Sequence, residues 1–192
     1  MIDTGSRTAT LSRRITGFTM IELITTMSIV AILLGIGVPS FRYITNADRA
    51  SSEINGLLGD LQFARAQAIR SGQAVSVCST TNGATCGASN SWRTGWLVFS
   101  DTGVQGTIDG TDTILKAQKG FTGTDTLVAD NAVTVVTFNR DGFSINLPGP
   151  ITFALHSAPV NATYTRCLSL SIVGAMGTQV AGVATAEAVP CA

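Results

Sequence analysis

Charge is scarce in this chain. Of its 192 residues only 12% are charged, twelve basic and twelve acidic, for a formal net charge of zero. Such a balance gives no overall pull toward nucleic acid or acidic lipid. With 45% hydrophobic residues and a mean hydropathy of +0.34, the chain is not a solvated, disordered one. Histidine is scarcer still. His156 stands alone, so no His-based metal site or relay can be assembled, and it reads as a surface or strand-end residue. The four cysteines, Cys78, Cys86, Cys167 and Cys191, include no CxxC pair. That excludes the usual zinc ligand spacing. An even count in an exported domain reads as two disulfides.

The charge is also unevenly placed. Arg7, Arg13 and Arg14 face only Asp3 within residues 1–17, which leaves nine basic and eleven acidic side chains for the rest. This polar stretch reads as a disordered leader. Phe18-Thr-Met-Ile-Glu-Leu then opens a run to Val38 in which Glu22 is the only charge. As a helix the run spans about 31 Å, close to one bilayer core. Arg13 and Arg14 ahead of it predict a cytoplasmic N-terminus. Gly35, Gly37 and Pro39 follow, and Pro39 predicts a kink because it lacks a backbone donor.

Beyond that cluster, Ile54, Leu57, Leu58, Leu61, Ala64 and Ala68 recur at helical spacing, with Arg49, Glu53, Asp60, Arg65 and Arg70 mostly off the stripe. Gly72 is a plausible stop. The reading is one long helix, membrane-crossing over 18–38 and amphipathic over 39–71, whose second half needs something to pack against. A β-rich domain over 72–192 supplies it. Short runs at 74–79, 95–100, 113–117, 133–138, 143–147, 151–156 and 167–173 read as strands. Ile151, Phe153 and Leu155 mark one buried face, and Leu168, Leu170 and Ile172 another. Arg140-Asp141-Gly142 reads as a hairpin turn. The tail from Gly174 is rich in small residues and weakly patterned.

Gly17-Phe18-Thr19-Met20-Ile21-Glu22-Leu23 ahead of the apolar run is the most specific feature. It resembles the type IV prepilin leader. The resemblance implies a prepilin peptidase that cuts after Gly17 and methylates the new amine on Phe18, making Glu22 the fifth mature residue. Glu22 also poses a physical problem of its own: a carboxylate in an apolar segment costs roughly 2–3 kcal/mol or more. The amine freed after Gly17, in the same chain or a neighbour, would answer it. In the family this pairing draws a subunit into the filament. The competing reading is an ordinary signal peptide cut at a small-x-small site, which Gly35-Ile-Gly37 imitates. It leaves Glu22 and the Gly-Phe junction without a role.

Within the domain, Trp92-x-x-Gly95-Trp96-x-Val98-Phe99-x-Asp101 follows the segment containing Cys78. The pattern resembles the FimT/FimU/GspH group of minor pilins and pseudopilins, well through the first half of the domain and loosely over 120–192. The resemblance implies an α+β, pilin-like fold in which a long kinked N-terminal helix, transmembrane in its first half, packs on an antiparallel β-sandwich. It implies a non-enzymatic, cofactor-free subunit of a type IV pilus or type II secretion filament. Its partners would be prepilin peptidase, other pilins or pseudopilins and an inner-membrane assembly platform, and its domain would face the periplasm. Trp96 is expected to be buried and Trp92 partly exposed. Of the three possible cysteine pairings, loop composition favours Cys78–Cys86, which closes a Gly/Asn/Ser/Thr loop, and Cys167–Cys191, which pins the tail to a strand.

Other motifs carry less. Val98-Phe99-Ser100-Asp101-Thr102-Gly103 imitates an aspartic-protease signature, but that chemistry needs two carboxylates and the motif occurs once. Asp101, Asp109 and Asp112 in a Gly-rich loop are candidate calcium ligands, although their spacing is not that of an EF-hand and turns favour Asp anyway. Some FimT-like pilins capture DNA through arginines near the C-terminus. Here Ala175, Met176 and Gly177 occupy that region, and no Lys or Arg follows Arg166. Arg93, Lys116, Lys119 and Arg140 are scattered among acidic residues. Without clustered cations there is little counterion release to drive binding, so the domain is expected to bind duplex DNA weakly or not at all.

Overall fold

A single helix, α1 (Met20–Ser71), occupies 52 residues of the chain. The computed structural model describes residues 17–158, 162–181 and Cys191, apart from the side chains at 39, 42, 43 and 162. The leader up to residue 16 and Glu187 lie outside these. The chain falls into two compact units, Met1–Arg42 and Tyr43–Ala192. Helical hydrogen bonding continues through Pro39, so the expected weak point does not end one helix and begin another. The reason is local. Proline removes one donor, which leaves the Gly35 carbonyl without its usual partner, while bonds on either side persist. At the far end the Gly72 N–H donates to the Ala68 carbonyl at 2.9 Å, and Gly72 takes φ +71°. That left-handed position is where glycine stops a helix.

Among the described residues eight strands follow: β1 (Val75–Ser79), β2 (Gly95–Ser100), β3 (Thr113–Lys119), β4 (Thr126–Ala129), β5 (Val135–Phe138), β6 (Ile151–His156), β7 (Arg166–Leu170) and β8 (Met176–Val180). They form two four-stranded antiparallel sheets, ordered β3-β2-β1-β5 and β4-β6-β7-β8. Ile54, Leu57, Leu61, Ala64 and Ala68 of the helix are all buried in one core with residues of both sheets. Each large apolar side chain so buried stabilises by about 1.5–3 kcal/mol. This is the partner that the amphipathic half of the helix required.

Strands β1 and β2 are buried on both faces. Val75, Val77, Trp96 and Val98 face the main core. Cys78, Leu97 and Phe99 form a second, smaller one with Cys86, Ile108 and Val135. The loops that carry Cys86 and Ile108 therefore cover the outer face of the first sheet.

Several expectations are corrected. No strand forms over 143–147, where Ser144 makes one isolated bridge to Phe138. Asn146 takes the place of backbone there: its side-chain oxygen accepts from the Thr137 N–H at 2.8 Å and its amide donates to the Val135 carbonyl at 3.0 Å. Strand β7 stops at Leu170, so Ile172 lies exposed in a turn rather than on the buried face. Trp92 is fully buried, not partly exposed. Its Nε1–H donates to the Val133 carbonyl at 3.0 Å and its ring meets Phe153 edge-on at 5.0 Å. Asp60, read as off the apolar stripe, is buried too.

Candidate functional site

The N-terminal unit presents an unusual combination of cap, charge and apolar surface. Thr19 precedes the first helical residue. Its Oγ1 accepts from the Glu22 N–H at 3.3 Å, and its carbonyl accepts from the Leu23 N–H at 3.2 Å. Thr-x-x-Glu is the sequence of a capping box, a signal that the sequence itself carries. The cap fixes where the helix begins. Gly17 and Phe18 stay outside it, exposed and non-helical ahead of the first turn, while Glu22 lies within that turn. Negative charge is favourable at this end of a helix.

From Met20 to Val38 the helix is 19 residues long with a hydropathy of 2.2. Its length of about 28 Å approaches the thickness of a bilayer core. Its large apolar side chains are exposed all round. The hydroxyls in this stretch are not left bare: Thr25, Thr26 and Ser28 donate to the carbonyls of Glu22, Leu23 and Ile24 at 3.0, 2.9 and 2.8 Å. Satisfied in this way, they add little to the cost of an apolar environment. Glu22 remains the one ionisable group of the segment.

In the second unit, buried polar groups tie the helix to the sheets. The Trp96 Nε1–H donates to Asp60 Oδ2 at 2.8 Å, and the Lys116 ammonium pairs with the other oxygen. Arg49 grips Asp125 with two bonds of 2.8 and 2.9 Å, and the Ala158 N–H donates to the same carboxylate at 2.8 Å. Asp125 is fully buried. Glu53, one turn beyond Arg49, faces the same carboxylate, and its Oε2 is buried without a hydrogen-bond partner. Burial, and after it the Asp125 charge, push Glu53 up to about 7, with Arg49 opposing. None of these contacts was visible in the sequence, because the partners lie 33 to 76 residues apart.

The cysteines are joined as Cys78–Cys86 and Cys167–Cys191, with Cα separations of 5.5 and 5.9 Å. Asp101, Asp109 and Asp112 do not converge on a common point: no metal-holding group of three such side chains occurs among the described residues. Each carboxylate serves its own loop. Asp101 is buried and accepts from the Ser76 hydroxyl and the Gly106 N–H. Asp109 accepts from the hydroxyl and N–H of Thr111 and the N–H of Val104, bonds that hold its carboxyl below the ordinary range. Asp112 accepts from the N–H groups of Thr102 and Asp109. Two of the scattered cations are likewise engaged, Lys116 with Asp60 and Arg93 with the carbonyls of Gly123 and Asp125.

Comparison with known proteins bears on both units. Residues 53–174 match the family described as Type II transport protein GspH, and residues 12–38 match the prokaryotic N-terminal methylation motif. Two crystal structures of the Pseudomonas aeruginosa type IV minor pilin FimU are similar. One is 25% identical, covers 69% of this chain and 91% of the other, and has a TM-score of 0.52. The second is 24% identical over 72% and 92%, with a TM-score of 0.55. The minor pseudopilin EpsH from the Vibrio cholerae Type 2 Secretion System is 15% identical over 70% and 98%, with a TM-score of 0.46. No curated protein matches.

Proposed function

Since the chain belongs to the GspH family, and is therefore a minor pilin or pseudopilin, we propose that it is made as a precursor, cut after Gly17 by prepilin peptidase, and assembled into a filament through its N-terminal helix. The supporting observation is the Thr19 cap. It starts the helix just past the Gly17–Phe18 bond and leaves that bond in exposed, non-helical chain. A peptidase needs an extended backbone to bind, and a peptide bond inside a helix denies it one. The new amine on Phe18 would then lie four residues ahead of Glu22, within the same stretch of chain.

In this reading the precursor spans the inner membrane once, with residues 1–17 cytoplasmic and the domain periplasmic. Methylated Phe18 and Glu22 provide the paired charges that make the apolar segment tolerable in lipid and in a packed filament. An assembly platform extracts the helix, and the subunit helps prime or cap a type IV pilus or a type II secretion filament. The work is done by surfaces, with no reaction at the subunit itself.

Mass spectrometry of the N-terminus of membrane-associated protein tests the first step. The expected mature chain begins at a methylated Phe18. A chain beginning near Val38 would identify an ordinary signal peptide and overturn the proposal.

A further inference from the structure

Five apolar side chains remain open at the end of the domain where α1 terminates. Ile69, in the last turns of the helix, Phe143 and Ile145 after the turn at Gly142, and Ile172 and Val173 after β7 are each between 43% and 52% exposed. They belong to one surface. Ser144 is buried between Phe143 and Ile145, so those two side chains point outward together. Its N–H donates to the Ile172 carbonyl and its Oγ to the Ser171 carbonyl, both at 3.0 Å. Arg65 lies across the two turns, with Nε donating to the Gly142 carbonyl at 2.9 Å and Nη2 to that of Val173 at 3.5 Å.

Glycine makes the approach possible. Gly142 and Gly174 both take positive φ, and a Cβ on Gly174 would stand 2.2 Å from the Gly142 carbonyl oxygen. A side chain there would push the turns apart.

The open area is on the order of 500 Å², the upper range of what a monomer leaves exposed. It falls short of the roughly 800 Å² per partner of a freestanding complex. A partner must therefore be held alongside by a second contact. The chain carries one in the apolar Met20–Val38 segment. Subunits gathered by such helices meet at high effective concentration, where a small contact suffices. The charged residues of the segments bearing the patch are Arg65, Arg70 and Arg140, against Asp141 alone.

We propose that this patch docks a neighbouring pilin-type subunit, one that presents apolar side chains rimmed by carboxylates. The inference rests on the filament reading above and adds the contact face and the chemistry of its partner.

The test places a photo-crosslinking amino acid at position 143 or 172 of the full chain in cells, with position 118 on β3 as control. Crosslinks from 143 and 172, and not from 118, to a protein with a pilin-type N-terminal segment are expected. If neither site gives that product while the chain is present in sheared filaments, the patch proposal is overturned and the filament reading stands. Absence of the chain from filaments overturns both. Crosslinking to nucleic acid, or only to proteins without such a segment, also overturns the proposal. Ile172→Lys should lower incorporation several-fold with no change in thermal midpoint. Unchanged incorporation would count against the patch.

Discussion

Replacing Glu53 with Gln should stabilise the protein at pH 8 and change little at pH 5. Burial and the Asp125 charge raise Glu53 from 4.5 to about 7. The folded value lies above the unfolded one, so the contribution is fully present below about pH 4.5. It falls as pH climbs, because the unfolded chain releases its proton first, and it is lost above about pH 7. The full shift corresponds to about 3 kcal/mol, at roughly 1.4 kcal/mol per unit. Glu53 is only partly buried, and solvent screening reduces this to about 1–2 kcal/mol. Gln carries no charge at any pH and offers an amide donor to the Asp125 carboxylate. The assay is denaturant unfolding of the purified full chain in detergent at pH 5, 6, 7 and 8. Fluorescence reports the domain alone, because Trp92 and Trp96 are the only tryptophans and both are buried there. Asp130, also raised by burial, slopes the same way in both proteins and cancels in the difference. Wild type should lose stability between pH 5 and 8 relative to Glu53→Gln. Parallel pH profiles for the two would refute the argument.

Three further outcomes are expected. Asp60→Leu should cost about 2–3 kcal/mol in the same unfolding assay, since it leaves the buried Trp96 N–H without an acceptor; a neutral result would mean that the indole finds another partner. Serine in place of either cysteine pair should destabilise by about 2.5 kcal/mol for Cys78–Cys86 and about 3.5 kcal/mol for the longer Cys167–Cys191 loop, by loop entropy, and non-reducing peptide mapping should recover those two links and no others. Glu22→Ala should leave cleavage after Gly17 intact but reduce the share of protein found in sheared filaments, measured by immunoblot against the membrane pool.

The helix was legible because its determinants are short-range. Ile54, Leu57 and Leu61 declare a face by spacing alone, and Gly72 declares an end. Five strands, β1, β2, β3, β5 and β6, were legible to within a residue or two because β-branched and aromatic runs lie between clear turn residues. Strand β4 was missed: Thr126-Leu-Val-Ala is only four residues long, set between Asp125 and Asp130. Strand β8 was missed because Gly177 interrupts it and no residue in it is fully buried, so no period of two can emerge. The segment at 143–147 has the apolar content of a strand, yet its backbone bonds are divided among Thr137, Asn139 and Ile172 and the Asn146 side chain makes two more, which composition cannot reveal. The depth of Trp92 and Asp60 followed from distant partners, Val133 in one case and Trp96 with Lys116 in the other. At the N-terminus the Gly17–Glu22 motif was plain in the sequence, while the apolar patch required two remote turns to be brought together.

Asn146 has a wider consequence. A subunit that waits in crowded company before assembly is in danger from its own sheet edges, which can template the wrong partner. Asn146 occupies the outer edge of β5 together with the Ile145 N–H, which donates to the Thr137 carbonyl at 3.0 Å. On β4, Asn90 does the equivalent, accepting from the Ala129 N–H through its backbone carbonyl at 3.1 Å and donating from its side chain to the Ala129 carbonyl at 3.1 Å. Two side-chain amides, each beside one backbone bond, thus help to decide which directions of growth are open to the protein. Leucine at either position would leave the core untouched. The resulting defect would surface as tangled, edge-paired aggregates in a protein whose individual domains are still folded.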